Sequence, residues 1–530
     1  MIAEGRNLVL TGMMGTGKSR VGRLLAAALG REFADTDALI EEREGCSIAD
    51  LFAHQGEPYF RRVELEVCRE LGRRRDLVIA TGGGALVHEA GRQALGWNGL
   101  VICLRGDPKT LAQRVLQDEE TRPLLLGKDP EEALTALWWA RRNAYALAPL
   151  QVTTDSRTPE EVCQAVLEAL HPSPERLTRV PVSVPGGEGY TVWSGAGALH
   201  LTPQMVPSPK SRLAALVWDD RIPESLPEAV RQAWERAGSQ VAPIPLRATE
   251  EGKTLETTAA LYQRFLEAHL DRGSLVLILG GGGTTDLAGF AAATFMRGLP
   301  TFTLPTTLLG AVDASVGGKT GVNLPQGKNL VGVVWPPVAV AVDPVAFYTL
   351  PDEEIRAGLA ETVKAGLLGS PALFAHLEEQ GLENLPWIVA EAVRVKARIV
   401  SEDPYERGPR AYLNLGHTFG HALEVLSGYR LPHGQAVAMG RVAAVRVGEV
   451  LGLVDAAFTA RLVALMEALG LPTRPPDIPF EDLWQAMHAD KKQRAGRLRF
   501  VVPAGIGKVC LRDDVTDAQV REAWERSKAP

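Results

Sequence analysis

The feature that most constrains this chain is one word near its start, Gly12-Met-Met-Gly15-Thr-Gly17-Lys18-Ser19, which fits G-x-x-x-x-G-K-[ST]. It follows the apolar run Asn7–Thr11, which predicts a strand, and it opens Lys18–Leu29, which predicts a helix. In that context glycines let backbone N–H groups curl around phosphate oxygens. Gly15, Thr16, Gly17, Lys18, Ser19 and Arg20 are therefore expected at a nucleoside triphosphate. Lys18 would reach the β/γ-phosphates and Ser19 would hold Mg²⁺. Downstream, 77–81 and 100–104 read as buried strands, and 109–117 and 131–145 as helices. Alternating strands and helices imply a parallel sheet flanked by helices.

At 530 residues the chain has room for roughly three or four domains. Its clearest seam is 171–187, HPSPERLTRVPVSVPGG, rich in proline and read as a linker. Beyond it, 213–218, 275–279 and 301–304 read as strands, whereas 355–367 and 436–451 are long amphipathic stretches. The expected organisation is an α/β domain over 1–170, the linker 171–187, a Rossmann-like α/β lobe over 188–350 and an all-helical lobe over 351–530. With 57 basic against 64 acidic residues, net −7, a general nucleic-acid or anionic-membrane binder is not expected. The five scattered cysteines form no C-x-x-C, so neither a disulfide framework nor a cysteine zinc knuckle is expected, and a reducing cytoplasm fits. No signal pattern opens the chain, and no apolar run is long enough to span a membrane.

Four further words follow the glycine loop: Asp35-Thr-Asp37, Phe60-Arg61-Arg62, Thr81-Gly82-Gly83-Gly84-Ala85 and Thr121-Arg122-Pro123-Leu124-Leu125. Singly, each also suits a solvated strand end, a surface pair or a plain turn. In this order, across about 5–170, they resemble the shikimate kinase family. The resemblance implies that Asp35 helps position Mg²⁺ and that Asp37 holds or deprotonates the attacking hydroxyl of shikimate. It places Arg61, Gly83 and a later arginine at the substrate, and Arg122 and Arg157 at ATP, with Arg122 on a lid. Where the family reads R-x-P-x-Y, this chain reads Arg141-Arg142-Asn-Ala-Tyr145. Counting back from the tyrosine selects Arg141 as the carboxylate clamp, and counting by the Arg-Asn pair selects Arg142.

The second half carries Asn414-Leu-Gly-His417-Thr-Phe-Gly-His421 and then His433-Gly-Gln-Ala. Histidines at i, i+4 share a helix face and can converge on one metal or one anion. No Glu stands between them, which excludes the H-E-x-x-H protease reading. Gly280-Gly-Gly-Gly-Thr-Thr-Asp286, Met296-Arg297-Gly, Pro305-Thr306-Thr307, Asp313-Ala-Ser-Val-Gly-Gly-Lys319, Gly327-Lys328-Asn329, Glu361-Thr-Val-Lys364 and Asp490-Lys491-Lys492 complete the set.

Across about 187–515 this constellation resembles the 3-dehydroquinate synthase family. The resemblance implies NAD⁺, one divalent metal (Zn²⁺ or Co²⁺) and the seven-carbon sugar-acid phosphate DAHP, with hydride removed and later returned. It assigns Glu361, His417 and His433 to the metal. Asp219, Glu250, Lys253, Gly282, Asp286, Thr306, Thr307, Asp313, Lys319 and Lys328 would hold NAD. Arg297, Asn329, Lys364, Lys491 and Lys492 would bind substrate, and Lys319, Lys396, Glu406, Arg410, Asn414 and His421 would serve the chemistry. Thr285 stands where the family often has Gly, which would crowd the pyrophosphate turn, and Gln435 replaces a usual Glu.

The expectation is thus a bifunctional fusion acting on small molecules, dimeric through its second half. Two alternatives remain: a kinase fused to another sugar-phosphate cyclase, or to an inactive metabolite-sensing module.

Overall fold

The computed structural model describes residues 5–117, 123–125, 127–206, 212–403, 408–492 and 498–529, with backbone only at 123 and 489–492. The first half is a parallel sheet of β1 (Asn7–Thr11), β2 (Glu32–Asp35), β3 (Leu77–Ala80), β4 (Gly99–Arg105) and β5 (Leu150–Thr153), in the order β2-β3-β1-β4-β5. All five residues of β1 are buried, as a strand covered on both faces requires. The connections diverge on either side of β1, which opens a crevice at its carboxyl end, and the glycine loop leaves the strand there.

The second half begins with β6 (Thr178–Val182), β7 (Tyr190–Ser194), β8 (Leu213–Asp219), β9 (Gln240–Leu246), β10 (Leu275–Gly280) and β11 (Thr301–Pro305). A hairpin of β12 (Lys319–Leu324) and β13 (Gly327–Val334) and then β14 (Ala339–Val342) follow. The sheet order is β6-β7-β14-β11-β10-β8-β9, parallel except for the β6–β7 pair. Here too the glycine run leaves the carboxyl end of a central strand, β10, and opens helix Gly282–Thr294. From Asp352 onward helices dominate. Among the described residues no helix is long and apolar enough to cross a membrane.

Two expectations need correction. The seam at 171–187 is not a free linker, because it contains β6, whose buried Val180 and Val182 alternate with exposed Arg179 and Pro181. Pro181 is tolerated because β6 is an edge strand, where a missing N–H costs no ladder bond. The C-terminal lobe is not all-helical either. Its β15 (Phe500–Gly505) and β16 (Lys508–Arg512) form an antiparallel hairpin that packs on helix His433–Val450.

The two halves share a core. One apolar cluster runs from Val9, Leu95 and Val101 to Phe347, Tyr348 and Ile355. Tyr348 is 3% exposed and fills the space left by Gly96, where a Cβ would lie 2.7 Å from its ring. Arg92, itself buried, pairs with Asp352, whose backbone N–H donates to Glu89 at 2.8 Å. The kinase-like half therefore caps the start of helix Asp352–Gly369 in the other half.

His200, on the turn Ala198–Gln204, makes stability depend on pH. Burial lowers its pKa from 6.5 to about 3, with Arg6 and Arg236 adding to the effect. Below pH 6.5 the unfolded chain takes up a proton that the folded chain refuses. The contribution is complete above pH 6.5 and is lost as pH falls toward 3. Between pH 7 and pH 5 the loss is expected to be about 1–2 kcal/mol, water still reaching part of the ring. Urea titrations should show a smaller drop for His200→Gln than for the parent.

Candidate active sites

In the first half a cleft of about 1280 Å³ joins the glycine loop, Asp35, Asp37, Arg61, the 82–84 glycines and Arg141. Gly12 has φ +135°, and a Cβ there would run into the Leu104 carbonyl oxygen, so only glycine lets the loop turn off β1 so close to β4. Lys18 Nζ donates to the Gly12 and Met13 carbonyls, each at 3.0 Å, and so lies across the loop. The Thr16 hydroxyl turns inward to Met13 O at 2.8 Å and serves the loop's own shape. Ser19 Oγ donates to Asp35 Oδ2 at 2.6 Å, and the other Asp35 oxygen accepts from Asp37 N at 3.1 Å. A hydroxyl beside a carboxylate at the phosphate loop is a hard oxygen donor set, which fits Mg²⁺.

Asp37 faces the 82–84 glycines: a Cβ on Gly82 would sit 2.7 Å from its Oδ1 and 2.8 Å from Glu64 Oε1. Arg61 bonds Glu64 at 2.7 Å and Glu57 at 3.0 Å. Burial pushes the Glu64 carboxyl upward against the pull of Arg61. Arg141 lines the cleft with Gly83, whereas Arg142 stacks over Trp139 and donates to Glu379 O at 2.8 Å. The geometry thus puts the first arginine of the pair in the cleft. Arg20 and Arg157 line its mouth.

Sequence reasoning missed three supports. Glu64 neutralises Arg61, Arg114 donates to Gly15 O and Thr154, and the Tyr145 hydroxyl holds Gly83 O at 2.7 Å. Glu64, three residues after Arg61 on one helix, and Tyr145, at the end of the word that holds the two arginines, left a signal; Arg114 left none.

In the second half most of the residues assigned to a dinucleotide follow the carboxyl ends of β8, β9, β10 and β11. Gly282 opens the helix after β10, Thr306 N donates to Gly280 O at 3.0 Å, and Thr307 Oγ1 accepts from Gly310 N at 2.9 Å. Buried Lys253 bonds both Asp286 and Asn329 at 2.5 Å, and Glu250 accepts from Asn323. Burial raises the Asp286 carboxyl while Lys253 opposes. Asp219 is fully engaged by the Arg221 guanidinium, at 2.8 and 2.6 Å. The Thr285 hydroxyl folds back to Gly282 O at 3.0 Å, inside its own helix. A helix N-terminus with a glycine turn fits a pyrophosphate.

Lys319, Lys328 and Asn329 lie on the β12–β13 hairpin, and Lys328 reaches over the Tyr429 ring of the helical lobe. Exposed Arg297 follows Met296, and both hold positive φ (70° and 51°), a strained pair for non-glycine residues. Lys396 bonds Asp313 at 2.6 Å. Burial would raise the Asp313 carboxyl, yet Lys396 and Lys364 hold it well below its ordinary value. Arg410 is buried beside Gly317, and Asn414 ends the same short turn, Pro409–Asn414.

His417 and His433 each begin a helix, and His421 lies one turn after the first. The three rings meet with centroids 5.4, 5.5 and 6.1 Å apart. Burial pushes His417 well below its ordinary pKa, so the ring is the neutral ligand form. The buried Glu361 carboxylate pairs with Lys364 and lies 3.5 Å from Arg441, so Lys364, expected at substrate, here neutralises an expected metal ligand. The closest potential ligand atoms are those of His421, Glu424 and His433, within 4.8 Å of one another. Glu424 and the fully buried Arg441 are thus additions that the sequence words did not single out. Imidazoles with a nearby carboxylate fit a divalent ion such as Zn²⁺. Gln435 points away, toward Glu353. Arg122, Glu406 and the side chains of Lys491 and Lys492 lie outside the described residues.

Residues 14–171 match the family model for shikimate kinase. Residues 243–357 and 358–493 match the N- and C-terminal models of 3-dehydroquinate synthase. The 3-dehydroquinate synthase of Xanthomonas axonopodis pv. citri is 43% identical over 357 residues, covering 64% of this chain and 96% of that protein. The enzyme of that name from Symbiobacterium thermophilum is 41% identical over 352 residues, covering 64% and 98%. Among solved structures, 2-epi-5-epi-valiolone synthase from Streptomyces hygroscopicus subsp. jinggangensis, with NAD⁺ and Zn²⁺ bound, superposes with TM-score 0.58 at 26% identity, covering 65% and 98%.

Proposed function

Because the chain belongs to the 3-dehydroquinate synthase family and carries a shikimate kinase domain ahead of it, we propose that it performs two separate steps of aromatic biosynthesis. One is ATP-dependent phosphorylation of the shikimate 3-hydroxyl. The other is conversion of DAHP to 3-dehydroquinate and phosphate.

For the kinase, the cleft that unites Lys18, the Ser19–Asp35 pair, Asp37, Arg61 and Arg141 carries the reading. Arg61 and Arg141 clamp the substrate carboxylate, since a guanidinium fork matches it bidentately. Asp37 takes the proton of the attacking hydroxyl, and Lys18 with the loop amides neutralises the transferring phosphoryl group. Mg²⁺ belongs between Ser19 and Asp35.

For the synthase, the convergence of His417, His421 and His433, in a chain that also carries the glycine turn after β10, carries the reading. The turn, Thr306, Thr307, Lys253 and Asp286 hold NAD⁺, and Glu361, His417 and His433 hold a zinc or cobalt ion. Bound NAD⁺ supplies a reversible hydride acceptor, and the bound ion supplies Lewis acidity at the substrate hydroxyls. Lys319, Lys396, Arg410 and Asn329 surround the substrate's carboxylate and phosphate, because a buried dianion needs several cationic partners. Relatives at 41–43% identity favour DAHP over the substrate of the valiolone synthase, which is 26% identical. Free cysteines fit a cytoplasmic protein. Exposed Leu330, Val333 and Val334 on the β12–β13 hairpin support a homodimer through this half.

Phosphate release from DAHP, with and without NAD⁺, after chelation and after return of zinc, tests the synthase. Shikimate-dependent ADP formation tests the kinase. Dependence on both NAD⁺ and metal is expected. No release from a folded, metal-loaded chain would move the second half to another cyclase or to a sensing module.

A further inference from the structure

Helix Pro130–Ala146 is the wall of the kinase cleft that carries Arg141. Near its end, the Tyr145 hydroxyl holds Gly83 O. The outer side of its C-terminal end is not left to solvent. It meets the turn between helices Pro371–Gln380 and Leu385–Glu402 of the synthase half. There Arg142 donates to Glu379 O at 2.8 Å, and Asn143 Oδ1 accepts from Leu382 N at 3.1 Å. A third tie is relayed. Glu383 pairs with Arg105 at 2.6 Å, Arg105 donates to Gln151 at 3.1 Å, and Gln151 donates to Ala146 O at 3.1 Å, the last carbonyl of the helix. The turn has a fixed shape. Gly381 and Asn384 hold φ of 61° and 57°, and the His376 ring bonds Glu383 O at 2.7 Å. Gly381 approaches so closely that a Cβ would strike Asn143 Oδ1. Between the turn and the glycine loop lies a cavity of about 20 Å³ bordered by Met13, Tyr145 and Glu383, room for one water.

We propose that the 379–383 turn of the synthase half is a positioning element of the kinase half, setting the stance of the helix that presents Arg141 and, through Tyr145, Gly83 to shikimate. The inference rests on the kinase reading above. Arg142 and Asn143 are the next two residues after Arg141, so the ties act within one helical turn of the clamp. A guanidinium displaced by about an ångström no longer makes two parallel bonds to a carboxylate. The nucleotide machinery hangs from β1 and β2 instead, through Lys18, Ser19 and Asp35. Loss of the ties should therefore fall on shikimate rather than on ATP.

The test uses the full chain with Gly381→Ala, Asn143→Ala, Glu383→Gln and the Gly381→Ala/Asn143→Ala double variant. The shikimate KM is expected to rise ~5-fold or more in Gly381→Ala, with kcat and the KM for ATP within about twofold of the parent. DAHP turnover by the same preparations reports that the fold is intact and should be unchanged. The double variant removes the oxygen that the new methyl strikes and leaves only the strain of alanine at φ 61°, so its effect on KM should be smaller than the two single effects combined. An unchanged shikimate KM in all variants would overturn the inference while leaving the kinase reading in place. So would a parallel loss of both activities, which marks a structural role only. A parent chain that does not phosphorylate shikimate would sink both.

Discussion

Lys18→Met is expected to cut shikimate-dependent ADP formation by about 10²–10³-fold while DAHP turnover by the same chain stays at the parent level. The ammonium lies across the glycine loop, bonded to the Gly12 and Met13 carbonyls. Methionine keeps the bulk and removes the charge. The loop amides still offer N–H groups to phosphate, so nucleotide binding should weaken less than turnover. Phosphoryl transfer depends mainly on positioning and charge neutralisation, so the missing charge is felt most in the transition state. A coupled ADP assay, read beside phosphate release from DAHP, gives both numbers on one sample. Retention of more than about a tenth of kcat would show that Lys18 is not the phosphate cation.

His433→Ala should have the opposite selectivity. DAHP turnover is expected to fall by about 10³-fold or more, and the purified chain should hold less than one metal ion per synthase half. His433 begins its helix with the ring among His417, His421 and Glu424, so its removal opens the ligand set without touching a core side chain. Shikimate phosphorylation should be unaltered. The discriminating measurement is metal content by mass spectrometry beside activity at saturating zinc. Full metal occupancy in an inactive variant would assign His433 to substrate rather than to metal. Arg441 gives a second check on this region: fully buried beneath Glu361, it bonds Ala360 O at 2.6 Å.

Local patterns were readable wherever sequence words coincide with backbone geometry. The glycine loop, Asn7–Thr11 and Lys18–Leu29 lie in the structure where the pattern put them, because a phosphate loop needs both a strand before it and a helix after it. The partners that steady these words were not readable. Arg114 and Arg441 come from distant parts of the chain, and nothing in their own neighbourhoods marks them. The choice between Arg141 and Arg142 could not be made by counting. It depends on which side of one helix faces the cleft, and the synthase turn packs against the other. The proline-rich seam misled because proline is a turn signal by itself, whereas an edge strand accepts it without loss. The short run Phe500-Val501-Val502 was hidden by the helices around it; it became a strand because a second short run, beyond Gly507, lies opposite.

The contact between Asn143 and Leu382 also sets an order of events during synthesis. The kinase sheet is complete once residue 153 has left the ribosome, and its core can close then. The bond that Asn143 makes to Leu382 must wait for roughly 230 further residues, on the order of 10–50 s at ordinary elongation rates. For that interval the outer face of the helix bearing Arg141 stands bare, with the partly exposed Trp138 and Trp139 beside it. The nascent kinase is thus a domain with an unfinished side, and the segment that finishes it is made long afterwards in the same chain.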